Sequence, residues 1–260
     1  MTWRWHTFSK GLRPLANARG SGRSYGRKGV VLLAALLLAP APSLAGAVGG
    51  NVELTNSKNP AVRRHRDYAG VVIWLEPVDR AAPPRRTQML QKDKQFLPHV
   101  IAIPVGGTVD FPNLDPIFHN AFSNFSGQPF DVGLYPPKTT RSVTFRHAGL
   151  VRVFCNIHST MSAVIAVLNT PWFAVTPPNG KFEIDGVPAG EYQLRLFHER
   201  ALPENLKFLE RRITVPEGGV NLPLISISET GYIPAPHLNK FGKEYPPAAT
   251  DGTYPGAPKQ

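Results

Sequence analysis

The sequence predicts an all-β chain of the sandwich or barrel kind, and three observations carry that reading. From Val71 onward, apolar residues recur at every second position or in short runs, the period of a strand whose faces alternate between core and solvent. Those runs are bounded by Gly, Pro, Asn and Asp, and the 260 residues include 23 glycines and 27 prolines, enough for many turns. Only Glu204 to Arg212 carries leucines at helical spacing, Leu206 and Leu209, and one or two helical turns there leave the class unchanged.

The first 45 residues stand apart from the β pattern. Arg4 to Lys28 is basic, Val30 to Ala39 is an uninterrupted apolar run, and Pro40 to Ala45 ends in small residues, with Ser43 and Ala45 three places and one place before the expected cleavage. This is the three-part pattern of a secretory signal, so residues 1–45 are expected to be removed and the protein exported to the periplasm or beyond. The apolar run is about half of the roughly 20 residues a spanning helix needs, so no stable membrane span is expected. A misassigned start codon would account for the unusual length of the basic region.

Cleavage after Ala45 changes the charge argument. It removes seven of the 29 basic side chains and none of the 18 acidic ones, so the formal charge falls from +11 to near +4 and the case for nucleic acid largely disappears. Arg63, Arg64 and Arg66, clustered around His65, are then expected to lie on a solvated loop.

Along the mature chain, strands are predicted at Gly50 to Thr55, Val71 to Leu75, His99 to Pro104, Thr108 to Pro112, Ser142 to Arg146, Leu150 to Phe154 and Ala163 to Leu168. Further strands follow at Lys181 to Ile184, Tyr192 to Phe197, Arg211 to Val215 and Leu222 to Ser228. Val105-Gly106-Gly107-Thr108 and Asn179-Gly180-Lys181 read as tight turns, because Gly and Asn accept a positive φ. The Pro-rich tail, residues 230–260, has little periodic apolar character and is expected to be disordered or loosely docked.

Cys155 is the one cysteine of an exported chain, so it has no partner for an internal disulfide. Its surroundings suggest another use. Leu150 to Cys155 reads as a strand that delivers its last residue into a loop, and that loop carries His158 and Met161 before the next strand begins at Ala163. A thiolate and imidazoles in a trigonal plane, with a weak thioether on the axis, suit copper shuttling between Cu(I) and Cu(II). Zinc could take the same residues, but methionine gives no reason to choose it. The loop cannot close a trigonal site alone. His119 is the best candidate for the second imidazole, since it follows a strand ending near Pro112 and the turn-rich run Asn113-Leu114-Asp115-Pro116. The other histidines, His65, His99, His147, His198 and His237, have no partner at metal-ligand spacing and are expected to be surface or hydrogen-bonded side chains.

Phe96-Leu97-Pro98, Val105 to Phe111, Asn113, Asp115, His119-Asn120 and the closing CxxHxxM together resemble the cupredoxins of the plastocyanin and amicyanin type over about a third of the chain. The spacing from His158 to Met161 is similar to that of amicyanin. The resemblance implies a Greek-key β-sandwich over residues 87–169. It also implies one type 1 copper held by His119, Cys155, His158 and axial Met161, with Asn120 tying the two ligand loops together. The loop departs from amicyanin in lacking its prolines and in placing Asn156 after the cysteine, so neither potential nor stiffness carries across.

Residues 170–229 contain Asn179 to Ile184 and Val187 to Leu194, a hairpin similar to that of transthyretin-like carboxypeptidase regulatory domains, small sandwiches without catalytic groups. Residues 48–80 supply strands of the kind that open such a domain. One expectation is therefore a discontinuous second sandwich, 48–80 with 170–229, into which the copper domain is inserted; the other is two consecutive domains.

Four protein ligands leave no evident open position for substrate, GxxxxGK[ST] is absent, no GxSxG occurs beyond the expected cleavage after Ala45, and Cys155 is flanked by Phe154 and Asn156 rather than by a histidine serving a second copper. The chain is read as an electron carrier, not an enzyme. A copper-delivery protein and an extracellular binding module with a secondary copper site are the alternatives. Resemblance to amicyanin suggests a c-type cytochrome or a quinoprotein dehydrogenase as redox partner.

Overall fold

The computed structural model describes residues 45–76, 82–124, 128–234 and 236–245. The expected secretory signal, apart from Ala45, and the tail beyond residue 245 lie outside these. Strand pairing groups the described residues into two all-β sandwiches, which we term outer and inner.

The outer sandwich opens the described chain with β1 (Gly46–Thr55), α1 (Pro60–His65) and β2 (Val72–Glu76). The helix replaces the expected basic loop. Asn59 caps it by accepting from Ala61 N at 2.8 Å, Pro60 supplies the first-turn φ, and Val62 is buried while Arg63, Arg64, His65 and Arg66 are exposed.

The inner sandwich follows as β3 (Arg86–Gln88), β4 (Leu90–Lys92), β5 (Gln95–Leu97), β6 (Val100–Pro104) and β7 (Thr108–Pro112). It continues through β8 (Phe122–Ser123), β9 (Phe130–Asp131), β10 (Thr140–Thr144), β11 (Gly149–Phe154) and β12 (Ser162–Leu168). The chain then returns to the outer sandwich with β13 (Phe173–Val175), β14 (Lys181–Val187), β15 (Gly190–Phe197), α2 (Pro203–Lys207), β16 (Arg211–Val215), β17 (Gly219–Asn221) and β18 (Ile225–Ser228).

In the outer sandwich one sheet has the order β14-β1-β17, with β18 also paired to β1, and the other runs β13-β2-β15-β16. Thus β2 pairs with strands that follow it by about a hundred residues, Ile73 with Ala174 and Leu196. The core between these sheets joins Val48, Val52, Ile73 and Leu75 to Phe182, Ile184, Leu194, Ile213 and Ile227, and among the described residues it draws none from 76–171. In the inner sandwich β10-β7-β3 faces β6-β12-β11-β8-β9, with β4 and β5 forming a hairpin at the edge. Its core holds Met89, Phe96, Phe111, Tyr135, Phe145, Val153 and Ile165.

β12 explains its own composition. Ser-Ala-Val-Ile-Ala-Val-Leu is apolar after its first residue because both faces are covered. Ala163, Ile165 and Val167 point into the inner core, whereas Val164, Ala166 and Leu168 pack with Val100 and Val72 in a seam between the sandwiches. Parallel pairing of β12 with β6 puts Ile101 and Ile103 on the inner face and Val100 on the seam, following the period of two.

The two expected turns form. Gly107 N donates to Pro104 O at 2.9 Å with Gly106 at φ +83°, a type II geometry that places Gly where the positive φ falls. At Asn179-Gly180, the Asn179 side chain accepts from Lys181 N at 3.0 Å, and Gly180 at φ +72° lies so close to β1 that a Cβ would stand 2.1 Å from Val52 O.

Candidate metal centre

Two loops at one end of the inner sandwich converge. The first leaves β7 at Pro112. Asn113 organises it, donating through Nδ2 to Ile117 O at 2.8 Å and accepting from Asp115 N at 3.1 Å. His119 is then held by backbone pairing with Tyr135, its N donating to Tyr135 O at 3.2 Å and its O accepting from Tyr135 N at 2.9 Å. The second loop leaves β11 at Phe154 and is closed by Cys155 N to Met161 O and Met161 N to His158 O, both at 3.1 Å.

These loops bring His119, Cys155 and His158 together, with one donor atom from each lying within 4.8 Å of the others. Sγ of Cys155 stands 3.9 Å from Nδ1 of His119 and 3.7 Å from Nδ1 of His158. Cys155, His119 and Met161 are fully buried, and Met161 belongs to the same core cluster as Cys155. The spacing can be tested against a metal. With metal–sulfur and metal–nitrogen bonds of about 2.3 and 2.05 Å, the sulfur–nitrogen edge is about 3.8 Å in a trigonal plane and about 3.6 Å at a tetrahedral angle. The observed pair fits a three-donor site and lies nearer the trigonal value.

Each ring is prepared for ligation. His119 Nε2 lies 2.7 Å from Asp115 Oδ2, and the same carboxylate accepts from Asp93 N at 2.7 Å and Lys94 N at 2.9 Å. Burial raises the Asp115 carboxyl, but the hydrogen bonds from Lys94 N, His119 and Asp93 N outweigh it and hold the group below the usual carboxylate range. An anionic Asp115 keeps the proton on Nε2 and leaves the Nδ1 lone pair facing the sulfur. Burial depresses His119 despite Asp115, and burial together with the charge of His119 draws His158 down to about 4, so both imidazoles are neutral near pH 7. Burial pushes the Cys155 thiol up, against the N–H groups of Ile157, Asn120 and His158. Such a thiol is inert unless a cation displaces its proton, which a soft metal does.

Asn120 joins the loops. Its Oδ1 accepts from Asn156 N at 3.2 Å, while Nδ2 donates to Asp131 Oδ1 at 2.7 Å and Gly133 O at 3.1 Å. Behind it, Gln91 Nε2 donates to Asn120 O at 3.1 Å and the Tyr135 hydroxyl lies 2.8 Å from Gln91 Oε1. Four of the other described histidines lie elsewhere: His99 pairs with Glu199 at 2.8 Å, His198 with Glu229 at 3.0 Å, and His65 and His147 are exposed.

Sequence reasoning assigned no role to Asp115, Gln91 or Tyr135. Asp115 had a signal, four residues before His119 in a turn-forming run; Gln91 had none, because its partners are distant in the chain. Within the tail, residues 236–245 dock on the cysteine loop: Tyr245 donates to Cys155 O at 2.6 Å, and the His237 ring stacks on Phe154 at 4.2 Å.

No protein-family profile and no curated protein matches the chain. Among solved structures it is similar to a purple cupredoxin from Nitrosopumilus maritimus, at 21% identity and a TM-score of 0.29 over 32% of this chain and 99% of that one. It is similar to amicyanin from Paracoccus versutus at 22% identity and 0.30 over 37% and 97%. It is also similar to the copper-containing nitrite reductase of Thermus scotoductus SA-01 at 23% and 0.31 over 45% of this chain, though only 28% of the reductase is covered.

Proposed function

We propose that the chain is an exported type 1 copper protein that carries electrons and catalyses no reaction. The observation that carries this reading is the convergence of the buried Cys155 sulfur with the Nδ1 atoms of buried His119 and half-buried His158, at sulfur–nitrogen distances of 3.9 and 3.7 Å, with Met161 in the same core cluster as Cys155. His119, Cys155, His158 and Met161 would hold the metal. Bound copper supplies one-electron exchange between Cu(I) and Cu(II). The protein's part is to keep both imidazoles neutral, fix the His119 tautomer through Asp115, and hold the two loops rigid through Asn120 so that the donors move little between oxidation states.

Export rests on the N-terminal segment. A c-type cytochrome or a quinoprotein dehydrogenase is the class of partner we propose. We also propose that the copper domain, 87–169, is inserted into a transthyretin-like sandwich built from 48–80 and 170–229. The pairing of β2 with β13 and β15, and an outer core that skips residues 76–171, support that arrangement.

The test is addition of Cu(II) to mature protein, with visible and EPR spectra recorded beside Cys155→Ser. An intense thiolate-to-copper band in the unmutated protein alone is expected; its absence there refutes the copper reading. A reversible couple with slow metal loss fits a carrier, whereas rapid surrender of copper to a chelator fits delivery.

A further inference from the structure

Residues 236–245 lie more than eighty positions beyond Cys155, past the last strand of the outer sandwich, yet their anchors converge on the metal centre. Three successive residues of the second ligand loop are each held by a different group of the segment. Phe154 takes the His237 ring, with centroids 4.2 Å apart and planes 25° from parallel. Cys155 O accepts from the Tyr245 hydroxyl at 2.6 Å, and Asn156 Oδ1 accepts from Lys240 N at 2.9 Å. A fourth anchor reaches β9, where Lys240 Nζ meets Asp131 Oδ2 at 2.8 Å, and Asp131 is the carboxylate that accepts from Asn120, next to His119 on the first loop.

The segment is built to present these groups together. Asn239 folds it into a turn, its side chain accepting from Phe241 N at 2.9 Å and Lys243 N at 3.1 Å while its backbone N donates to Lys243 O at 2.9 Å. The turn brings Tyr245 back beside His237, with the hydroxyl 3.2 Å from Nδ1 and the rings edge to face at 5.1 Å. The tip of the turn, by contrast, is turned away: Phe241 is 70% exposed.

We infer that residues 236–245 are a strap belonging to the metal centre, in which Tyr245 and His237 are positioning residues that fix the Phe154–Asn156 backbone and shield the Cys155 sulfur from solvent. This rests in part on the copper reading above. A ligand-bearing segment held at three consecutive residues, by the Phe154 ring, the Cys155 carbonyl and the Asn156 side chain, cannot shift without breaking several contacts, and outer contacts of this kind orient ligands and control solvent access. The strap also gives the outer sandwich a physical hold on the inner sandwich's site.

The experiment uses the mature full chain and four variants. Tyr245→Phe removes only the hydroxyl, His237→Ala removes the stacked ring, His237→Phe restores a ring on Phe154, and Phe241→Ala alters the exposed tip. In metal-free protein, the rate at which Cys155 reacts with a small thiol reagent is expected to rise about tenfold in Tyr245→Phe and His237→Ala, and to stay near the unmutated rate in His237→Phe and Phe241→Ala. In copper-loaded protein, the first two variants are expected to bind copper about tenfold more weakly and to have a lower midpoint potential, because water and the loss of a donor near the thiolate favour the more highly charged oxidised centre. Labelling rates within twofold of the unmutated chain in both variants overturn the assignment, and so does an unmoved potential. If the unmutated protein takes up no copper, the copper reading fails and the labelling rates alone decide the strap.

Discussion

Asp115→Asn is the substitution on which the site's design can be weighed most directly. The carboxylate takes three donors: Asp93 N on Oδ1, and Lys94 N with His119 Nε2 on Oδ2. An asparagine has one acceptor oxygen. If that oxygen occupies the Oδ1 place, the amide nitrogen confronts two donors; if it occupies the Oδ2 place, the nitrogen confronts only Asp93 N. The second arrangement wins and leaves Asp93 N, on the exposed edge of the cluster, to solvent, which forfeits one hydrogen bond of about 0.5–1.5 kcal/mol. The two retained bonds also lose their ionic character, which roughly halves their strength. We expect the metal-free protein to melt about 4–8 °C lower, for a loss near 2 kcal/mol in a chain of this size. Copper affinity should fall about 10- to 100-fold, since the tautomer and orientation of His119 are no longer enforced. Differential scanning calorimetry and a competitive chelator titration read the two effects. A variant that melts with the unmutated protein and holds copper within twofold of it would refute the role given to Asp115.

Three further outcomes follow from the same physical arguments. Met161→Leu should keep the intense visible band and raise the midpoint potential, because a weak axial donor that favours Cu(II) has been removed; loss of the band by spectrophotometric titration would count against Met161 as merely axial. Gly180→Ala places a Cβ 2.1 Å from Val52 O at φ +72°, and the left-handed backbone alone costs roughly 1–2 kcal/mol, so the melting temperature should drop by several degrees with copper uptake intact. For pH, burial raises Glu229, but the hydrogen bonds from His198 and Ser57 and the charge of Arg200 outweigh it and leave the group below its ordinary 4.5. A depressed carboxylate stabilises the fold fully above its unfolded value and loses that contribution as pH falls through its folded value. Melting curves from about pH 6 to pH 3 should therefore show a shallower acid decline in Glu229→Gln, and parallel declines would contradict this.

Much of the architecture was legible because strand faces are written at a period of two. Predicted strands such as Thr108–Pro112, Ala163–Leu168 and Arg211–Val215 coincide with observed ones or differ by a residue at an end. α1 escaped notice because one turn and a half leaves too little periodicity to detect; its evidence lay in Asn59-Pro60, a cap followed by a first-turn proline. Val71 to Leu75 could have belonged to either sandwich on pattern alone, since an apolar strand says that both its faces are covered but not by what.

The sequence by itself determined that the chain is all-β and that Cys155, His158 and Met161 share one loop. Those three lie within seven residues after a strand, and local geometry settles their proximity. Tertiary structure alone decided what lies further apart along the chain: that His119 presents Nδ1 to the sulfur because Asp115 holds Nε2, that β2 pairs with β13 and β15, and that the tail returns to seat Tyr245 on the cysteine carbonyl. Each of these depends on strand register and on the packing of distant segments. Neither leaves a local periodic mark in the order of residues.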